Sequence, residues 1–148
     1  MYDAEQFYRQ SAQEPMNPLI AQILGSIKGE ATGVDFYTRL AAAAPTPEMR
    51  NAILANRRDE EEHFRLFSGL YARLTGQQPV YQITPVQFSS FREGLKIAYR
   101  DELEDYEKYR NYYLMTQDPM LRDVFLRAFT DEIKHAIRVG FMETSLSE

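Results

Sequence analysis

One five-residue pattern occurs twice in this chain, as Asp59-Glu60-Glu61-Glu62-His63 and, 72 positions later, as Asp131-Glu132-Ile133-Lys134-His135. These two stretches contain both histidines of the sequence. Residues three apart lie on one face of an α-helix, so each copy directs a carboxylate and an imidazole to the same side. A single Glu-x-x-His in an acidic helix means little. Two copies that use every histidine predict a metal site built from facing helices.

The same offset relates positions far outside the pattern. It pairs Glu30 with Glu102 and Tyr37 with Tyr109, and it also pairs these cap and turn residues: Thr46 with Asp118, Pro47 with Pro119, and Arg50 with Arg122. A period of this length is too long for a solenoid unit. We therefore interpret the chain as a duplicated helical hairpin.

Composition narrows the class of protein. A chain of 148 residues is expected to form one domain, residues 1–148, with a core bundle at about 17–143. The net charge of −5 argues against a nucleic-acid surface. No cysteine is present, which excludes disulfides, thiol catalysis and Cys-ligated metal. Without a signal sequence or an apolar stretch of about 20 residues, a cytoplasmic protein with no membrane partner is expected.

Capping signals and apolar periodicity predict four helices that begin at residues 18, 47, 91 and 119. They are expected to end at about residue 43, before Gly76, before 117 and at about 142. Residues 1–16 are expected to add a short amphipathic helix. In the first long helix, Gly25, Gly29 and Gly33 form a smooth stripe, which predicts that another helix packs closely against it.

Loop lengths predict the topology. The turns near 44–46 and 117–118 are short, so each flanking pair of helices is expected to be an antiparallel hairpin. The connector 76–89 contains two prolines and can reach about 46–50 Å, enough to run back along the bundle. Five apolar residues are expected to pin it there: Val80, Tyr81, Ile83, Val86 and Phe88. The predicted fold is an all-α bundle of two antiparallel hairpins joined by a long crossover.

The depth of the acidic residues sharpens the metal hypothesis. Glu30 and Glu60 each lie 15 residues from the first turn, and Glu102 and Glu132 each lie 15 residues from the second. At 1.5 Å per residue, each is about 22 Å from its turn, so all four reach one level in mid-bundle. Uncompensated carboxylates are costly to bury, whereas two divalent cations balance four of them. Such oxygen-rich ligation suits iron or manganese.

With these residues, the sequence resembles the ferritin-like di-iron carboxylate superfamily, especially rubrerythrin and bacterioferritin domains, over about residues 17–143. The resemblance implies two iron ions, with manganese or a mixed Mn/Fe pair as alternatives. It implies that Glu60 and Glu132 bridge the metals. The remaining ligands would divide between the two ions, one taking Glu30 and His63 and the other taking Glu102 and His135.

The resemblance also implies residues that support the ligands. Asp59 is expected to accept from His135, and Asp131 from His63. Tyr37 and Tyr109 match tyrosines that bond to ligating carboxylates, with ordinary core packing as the alternative. Asp105 replaces a glutamate of rubrerythrins and is either an extra ligand or a solvent-facing residue. Lys134 is expected to be a surface lysine, with pairing to a site carboxylate as the alternative.

Other departures from the family pattern bear on activity. The cysteine-free chain cannot carry the Cys-ligated iron module of rubrerythrin, and Glu61 stands where bacterioferritin has a haem-binding methionine. The chain stops soon after the fourth helix, so a large iron-storage shell is disfavoured. The preferred hypothesis is an oxidoreductase that reduces hydrogen peroxide or O2 with an external electron donor, as a homodimer. The alternatives are a ferroxidase or iron-buffering protein, and a helical interaction module with a structural metal.

Overall fold

The computed structural model describes residues 17–146, which form four α-helices and no strand. The helices are α1 (Pro18–Ala42), α2 (Pro47–Thr75), α3 (Phe91–Met115) and α4 (Pro119–Thr144). The predicted all-α class and all four helix starts are confirmed. The helix predicted within residues 1–16 lies outside the described part of the chain.

Each helix begins after a residue whose side-chain oxygen accepts a hydrogen bond from a backbone N–H of the first turn: Asn17, Thr46, Ser90 and Asp118. These bonds satisfy amides that have no partner within the helix. In the capping box of α3, Glu93 accepts from the N–H of Ser89 at 2.6 Å, whereas the motif predicts the N–H of Ser90. Helix α2 ends at Gly76, whose φ of 70° suits glycine.

Contacts between helices establish their directions. Helix α1 pairs with α2, and α3 pairs with α4, as the two predicted hairpins. Tyr37 of α1 lies beside Glu102 of α3, while Tyr109 of α3 lies beside Glu30 of α1. Residue numbers therefore rise along α1 as they fall along α3, and the predicted antiparallel arrangement of these two helices is confirmed.

The connector 76–89 runs along the bundle, as predicted. Tyr81 stacks edge-on against Phe64 of α2, with ring centroids 5.7 Å apart. Farther along, the backbone oxygen of Val86 accepts from Arg39 of α1 at 2.8 Å. The prediction was wrong for Val80, which is 87% exposed, because its side chain points away from both hairpins.

The apolar core is divided into two clusters by a polar layer. One cluster includes Ile27, Phe67 and Phe125, and the other includes Leu40 and Ile53. The polar layer between them holds the predicted glutamates and histidines, so apolar side chains close the site above and below. Within residues 17–146, no helix combines the length and apolar character needed to cross a membrane.

The glycine stripe on α1 does not receive a close-packed helix, and that prediction was wrong. A Cβ added at Gly25 or Gly29 would meet nothing within 4 Å outside its own helix. A cleft of about 350 Å³ lies there instead, between α1 and α3. The physical reason lies in two buried tyrosines between the helices. Tyr37 and Tyr109 each reach from one helix to a carboxylate on the other, and this keeps the two backbones apart.

Candidate metal centre

The structure brings all six predicted ligand residues together in the middle of the bundle. One glutamate comes from each helix, and α2 and α4 each add a histidine. None of the six is more than 5% exposed: Glu30, Glu60, His63, Glu102, Glu132 and His135. The Glu-x-x-His spacing explains why each histidine joins the cluster, since it places the histidine on the same helix face as the glutamate of that helix.

The six residues form two overlapping groups, in each of which the potential ligand atoms lie within 4.8 Å of one another. The first group consists of Glu30, Glu60, His63 and Glu132. The second consists of Glu60, Glu102, Glu132 and His135. Glu60 and Glu132 belong to both groups, which is the placement that the bridging assignment requires.

Each histidine is held from outside and directed inward. His63 Nε2 lies 2.8 Å from Asp131 Oδ2, and His135 Nε2 lies 2.9 Å from Asp59 Oδ2. Each carboxylate accepts a hydrogen bond from Nε2–H, and in the neutral imidazole this leaves the lone pair on Nδ1. His63 Nδ1 is 3.1 Å from Glu132 Oε1, with no hydrogen bond between them. The contacts predicted for Asp59 and Asp131 are therefore present.

The inward-facing atoms lack hydrogen-bond partners among residues 17–146. They comprise one oxygen each of Glu30, Glu60 and Glu102, both oxygens of Glu132, and Nδ1 of both histidines. Buried polar atoms normally have partners, and a cluster of orphans needs an explanation. Cations between these atoms would satisfy all of them, so the residues present fit a pair of metal ions.

The buried glutamates and histidines of the layer lie in surroundings that favour the binding of positive charge. Burial raises the pKa of Glu132 well above its ordinary value, and the charges of Glu60 and Glu102 raise it further. Burial alone would lower the pKa of His63, but Asp131 and Glu30 outweigh it and raise the pKa to about 10. In each case the protein's own groups favour taking up a proton, and a metal cation meets the same demand.

Two tyrosines cross between α1 and α3 to reach the carboxylates. Tyr109 donates to Glu30 Oε1 at 2.6 Å, and Tyr37 donates to Glu102. Burial raises the pKa of both hydroxyls well above the ordinary value, and the neighbouring carboxylates add to the effect. Both hydroxyls therefore remain donors, and the predicted hydrogen bonds to carboxylates are present.

Two residues of this layer were missed by the sequence reasoning. Asn56 is fully buried and donates to the Tyr37 hydroxyl at 3.3 Å, while Arg138 donates to Asn56. The offset of 72 carries Asn56 to Ala128, so the repeat gave no sign of this chain of bonds. The available signal was helical spacing, because Asn56 lies four residues before Glu60 on the same face.

Lys134 does more than lie on the surface. Its Nζ is 2.8 Å from both Asp59 Oδ2 and Asp131 Oδ1, although the side chain is 45% exposed. The preferred expectation of an ordinary surface lysine was wrong and the alternative, pairing with a site carboxylate, is present, because the histidines bring those two carboxylates together within reach of Lys134. The pKa of Asp59 is held low by His135 and Lys134, against the opposing effect of burial.

Asp105 lies outside both ligand groups. Its carboxylate is half-buried and bonds to Lys108 at 2.6 Å. Burial raises its pKa to about 6, although Lys108 opposes the shift. The structure therefore gives Asp105 a lysine partner and a place on the cleft between α1 and α3, rather than a place among the six.

Comparison with known sequences agrees with this arrangement. The Rubrerythrin family profile matches residues 22–139, a range that includes all six clustered residues. The chain belongs to the rubrerythrin family. The uncharacterized protein YhjR of Bacillus subtilis (strain 168) is 35% identical over 119 residues, which is 80% of this chain and 82% of that protein.

Two solved structures have the same fold. A hypothetical protein from Pyrococcus furiosus gives a TM-score of 0.75 at 19% identity, over 84% of this chain and 88% of that one. A two-domain protein from Anabaena variabilis, with DJ-1/ThiJ/PfpI-like and ferritin-like domains, gives a TM-score of 0.70 at 14% identity. That match covers 85% of this chain and 36% of the larger one. The rubrerythrin-family chain thus has a ferritin-like four-helix fold.

Proposed function

We propose that this rubrerythrin-family protein holds two iron ions in the six-residue cluster and uses them to reduce hydrogen peroxide or O2. The observation that carries the proposal is the set of buried, unpartnered carboxylate oxygens and imidazole nitrogens that face one another. Four glutamates balance two divalent charges, and the histidines complete each ligand group. Manganese, or one manganese with one iron, fits the same donors.

The protein's residues would serve the reaction by holding charge and excluding water. Anionic oxygen donors favour the ferric state of iron, and the apolar clusters above and below the layer would keep water away from the bound ions. Two bound ferrous ions would supply the two electrons that, with two protons, convert hydrogen peroxide into two waters. These 148 residues contain no cysteine to re-reduce the site, so the proposal includes an external electron donor.

Stopped-flow mixing tests this function. Protein loaded anaerobically with Fe²⁺ is mixed with hydrogen peroxide or with O2, and oxidation is followed by the ferric absorption. We expect faster oxidation by peroxide, and steady turnover only with added reductant. The Glu60→Ala variant is the control, because it removes a shared ligand residue. If neither oxidant changes the iron, the catalytic proposal fails and the structural-metal alternative takes its place.

One observation favours a second candidate, ferroxidase or iron-buffering activity. The cleft that leads to the layer carries carboxylates of α3 on its wall, which suits Fe²⁺ as a substrate. Faster oxidation by O2, followed by growth of a mineral beyond two irons per chain, would establish this function. The homodimer and the cytoplasmic location stay predictions, and light scattering tests the first of them.

A further inference from the structure

The cleft between α1 and α3 is the feature from which a further role can be inferred. It has a volume of about 350 Å³ and reaches the metal layer at Glu60 and Glu102. Both of these glutamates are at most 5% exposed, and each has a carboxylate oxygen without a hydrogen-bond partner. The cleft therefore ends on two carboxyl groups of the cluster.

Glycines on α1 keep the cleft open. Gly25 and Gly29 line it, and nothing lies within 4 Å of a Cβ added at either position. Deeper in, a Cβ at Gly33 would stand 2.6 Å from Glu60 Oε2. Any side chain at that position would come between the cleft and the carboxylate. The stripe thus provides a continuous opening from the surface to Glu60.

The opposite wall is acidic, and it is where the two halves of the repeat differ. The offset of 72 carries Gly29 to Asp101 and Gly33 to Asp105. Both aspartates line the cleft together with Glu104. Lys28 is the one basic residue among the lining residues described, and Lys108, beside the cleft, binds Asp105 at 2.6 Å. One half of the repeat therefore supplies space and the other supplies carboxylates.

The other side of the layer carries a set of ion pairs and hydrogen bonds. Between α2 and α4, Lys134 lies between Asp59 and Asp131, and these aspartates hold the two outer histidine nitrogens. A cation arriving there would meet the positive charge of Lys134 and would have to break this set of bonds. The α1/α3 side presents carboxylates and open space instead.

We propose that divalent metal cations reach the buried cluster through the α1/α3 cleft, with Asp101 and Asp105 as the carboxylates that attract them along the way. The inference rests on the proposed function only in taking the cluster to bind metal. The three carboxylates on the α3 wall outnumber Lys28 and the Lys108 that pairs with Asp105, so the cleft attracts a hydrated cation and raises its local concentration. The carboxyl groups of Glu60 and Glu102, which line the inner end of the cleft, then receive it.

The test measures how fast the metal-free full chain takes up Co²⁺, followed by its visible absorption in a stopped-flow instrument. Gly29→Leu places a side chain in the cleft, and it should slow uptake about tenfold or more, because the helices must then open locally. The final number of cobalt ions per chain should not change. Gly69→Leu is the matched control, since Gly69 is also helical and unobstructed but lies outside the cleft.

A second pair of variants tests the charge. Asp101→Asn combined with Asp105→Asn should slow uptake by about tenfold and weaken its dependence on ionic strength. Asp123→Asn, at an exposed site on α4, should leave both unchanged. Gly25→Leu repeats the blocking test should Gly29→Leu alter the helical circular dichroism.

The outcomes separate the two proposals. Cobalt uptake at the wild-type rate in the glycine-to-leucine variants overturns the cleft route and leaves the metal site standing. Slow uptake with unchanged stoichiometry supports the route. Failure of the wild-type protein to bind cobalt or iron at all contradicts the metal site itself, and the route falls with it.

Discussion

The two sides of the metal layer are built from the same repeated sequence yet differ in structure. On the α2/α4 side, which we call the closed side, Lys134 binds the two aspartates that hold the histidines. On the α1/α3 side, tyrosines hold the helices apart, and a cleft reaches Glu60 and Glu102. The closed side holds the histidine nitrogens in place. The α1/α3 side, which we call the open side, leaves room for metal ions to enter.

The difference extends to the ligand groups. Glu60 and Glu132 come from the closed side and belong to both groups. Glu30 and Glu102 come from the open side and belong to one group each. Helices α2 and α4 therefore carry the carboxylates that both ions would share, and α1 and α3 carry those that each ion would use alone.

The largest expected effect concerns the number of bound ions. Glu60→Ala, on the closed side, should reduce iron from two ions per chain to nearly none, because both groups use this carboxylate. Glu30→Ala, on the open side, should reduce it to about one. Elemental analysis of protein loaded and desalted without oxygen measures the ratio. An equal loss from the two variants would remove the distinction between shared and single ligands.

Next in size is the effect of the outer partners of the histidines. Asp131→Asn should weaken metal binding at the His63 group by about 10–100-fold, because His63 loses the acceptor that orients it. Competition with a coloured chelator gives the affinity. Asp123→Asn, on the same helix, removes only a surface pair with Arg127 and should change nothing. Equal affinities for the two variants would show that the closed side does not position the histidine.

The closed side should also make metal-free protein sensitive to alkali. The folded pKa values of His63 and His135 are about 10 and about 9, against an ordinary value of 6.5. A raised folded pKa contributes stability that is complete below about pH 6.5 and is lost as the pH rises through the folded value. The raised pKa values of Glu60 and Glu132 act in the same direction above about pH 4.5.

The melting temperature of the metal-free protein should therefore fall as the pH is raised from about 6 to about 10. Bound Mn²⁺ should raise the melting temperature and flatten this fall, since the metal takes the place of the protons. Thermal unfolding followed by circular dichroism measures both curves. A flat curve for the metal-free protein would mean that the histidines are not held by charge.

The smallest effect distinguishes positions within the open side. Gly25→Ala should stabilise the protein by about 0.5–1 kcal/mol, because the added methyl meets nothing and glycine is costly in a helix. Gly33→Ala has the same helical advantage but should displace Glu60 and weaken metal binding. Urea unfolding gives the first quantity, and the chelator assay gives the second. Normal metal affinity in Gly33→Ala would show that Glu60 adjusts without cost.

Capping signals and apolar periodicity were enough to predict the four helices, and loop lengths were enough to predict the crossover. The repeat and the depth of the glutamates predicted the six clustered residues. The outer contacts of Asp59, Asp131 and the two tyrosines were predicted through family resemblance, and the structure contains them. Asn56 and Arg138 were not predicted as parts of the layer, and the pairing of Lys134 was only the less favoured alternative. Their roles depend on contacts between helices that are far apart in sequence, and such contacts cannot be predicted from the repeat.

What the sequence determined by itself was one-dimensional: where each helix begins, which residues share a face, and at what depth Glu30, Glu60, Glu102 and Glu132 lie. The distances between helices were decided only by the tertiary structure. A glycine stripe is compatible with close contact and with an empty cleft alike. The outcome depended on the tyrosines that hold α1 and α3 apart, because their reach across the bundle sets the width of the gap.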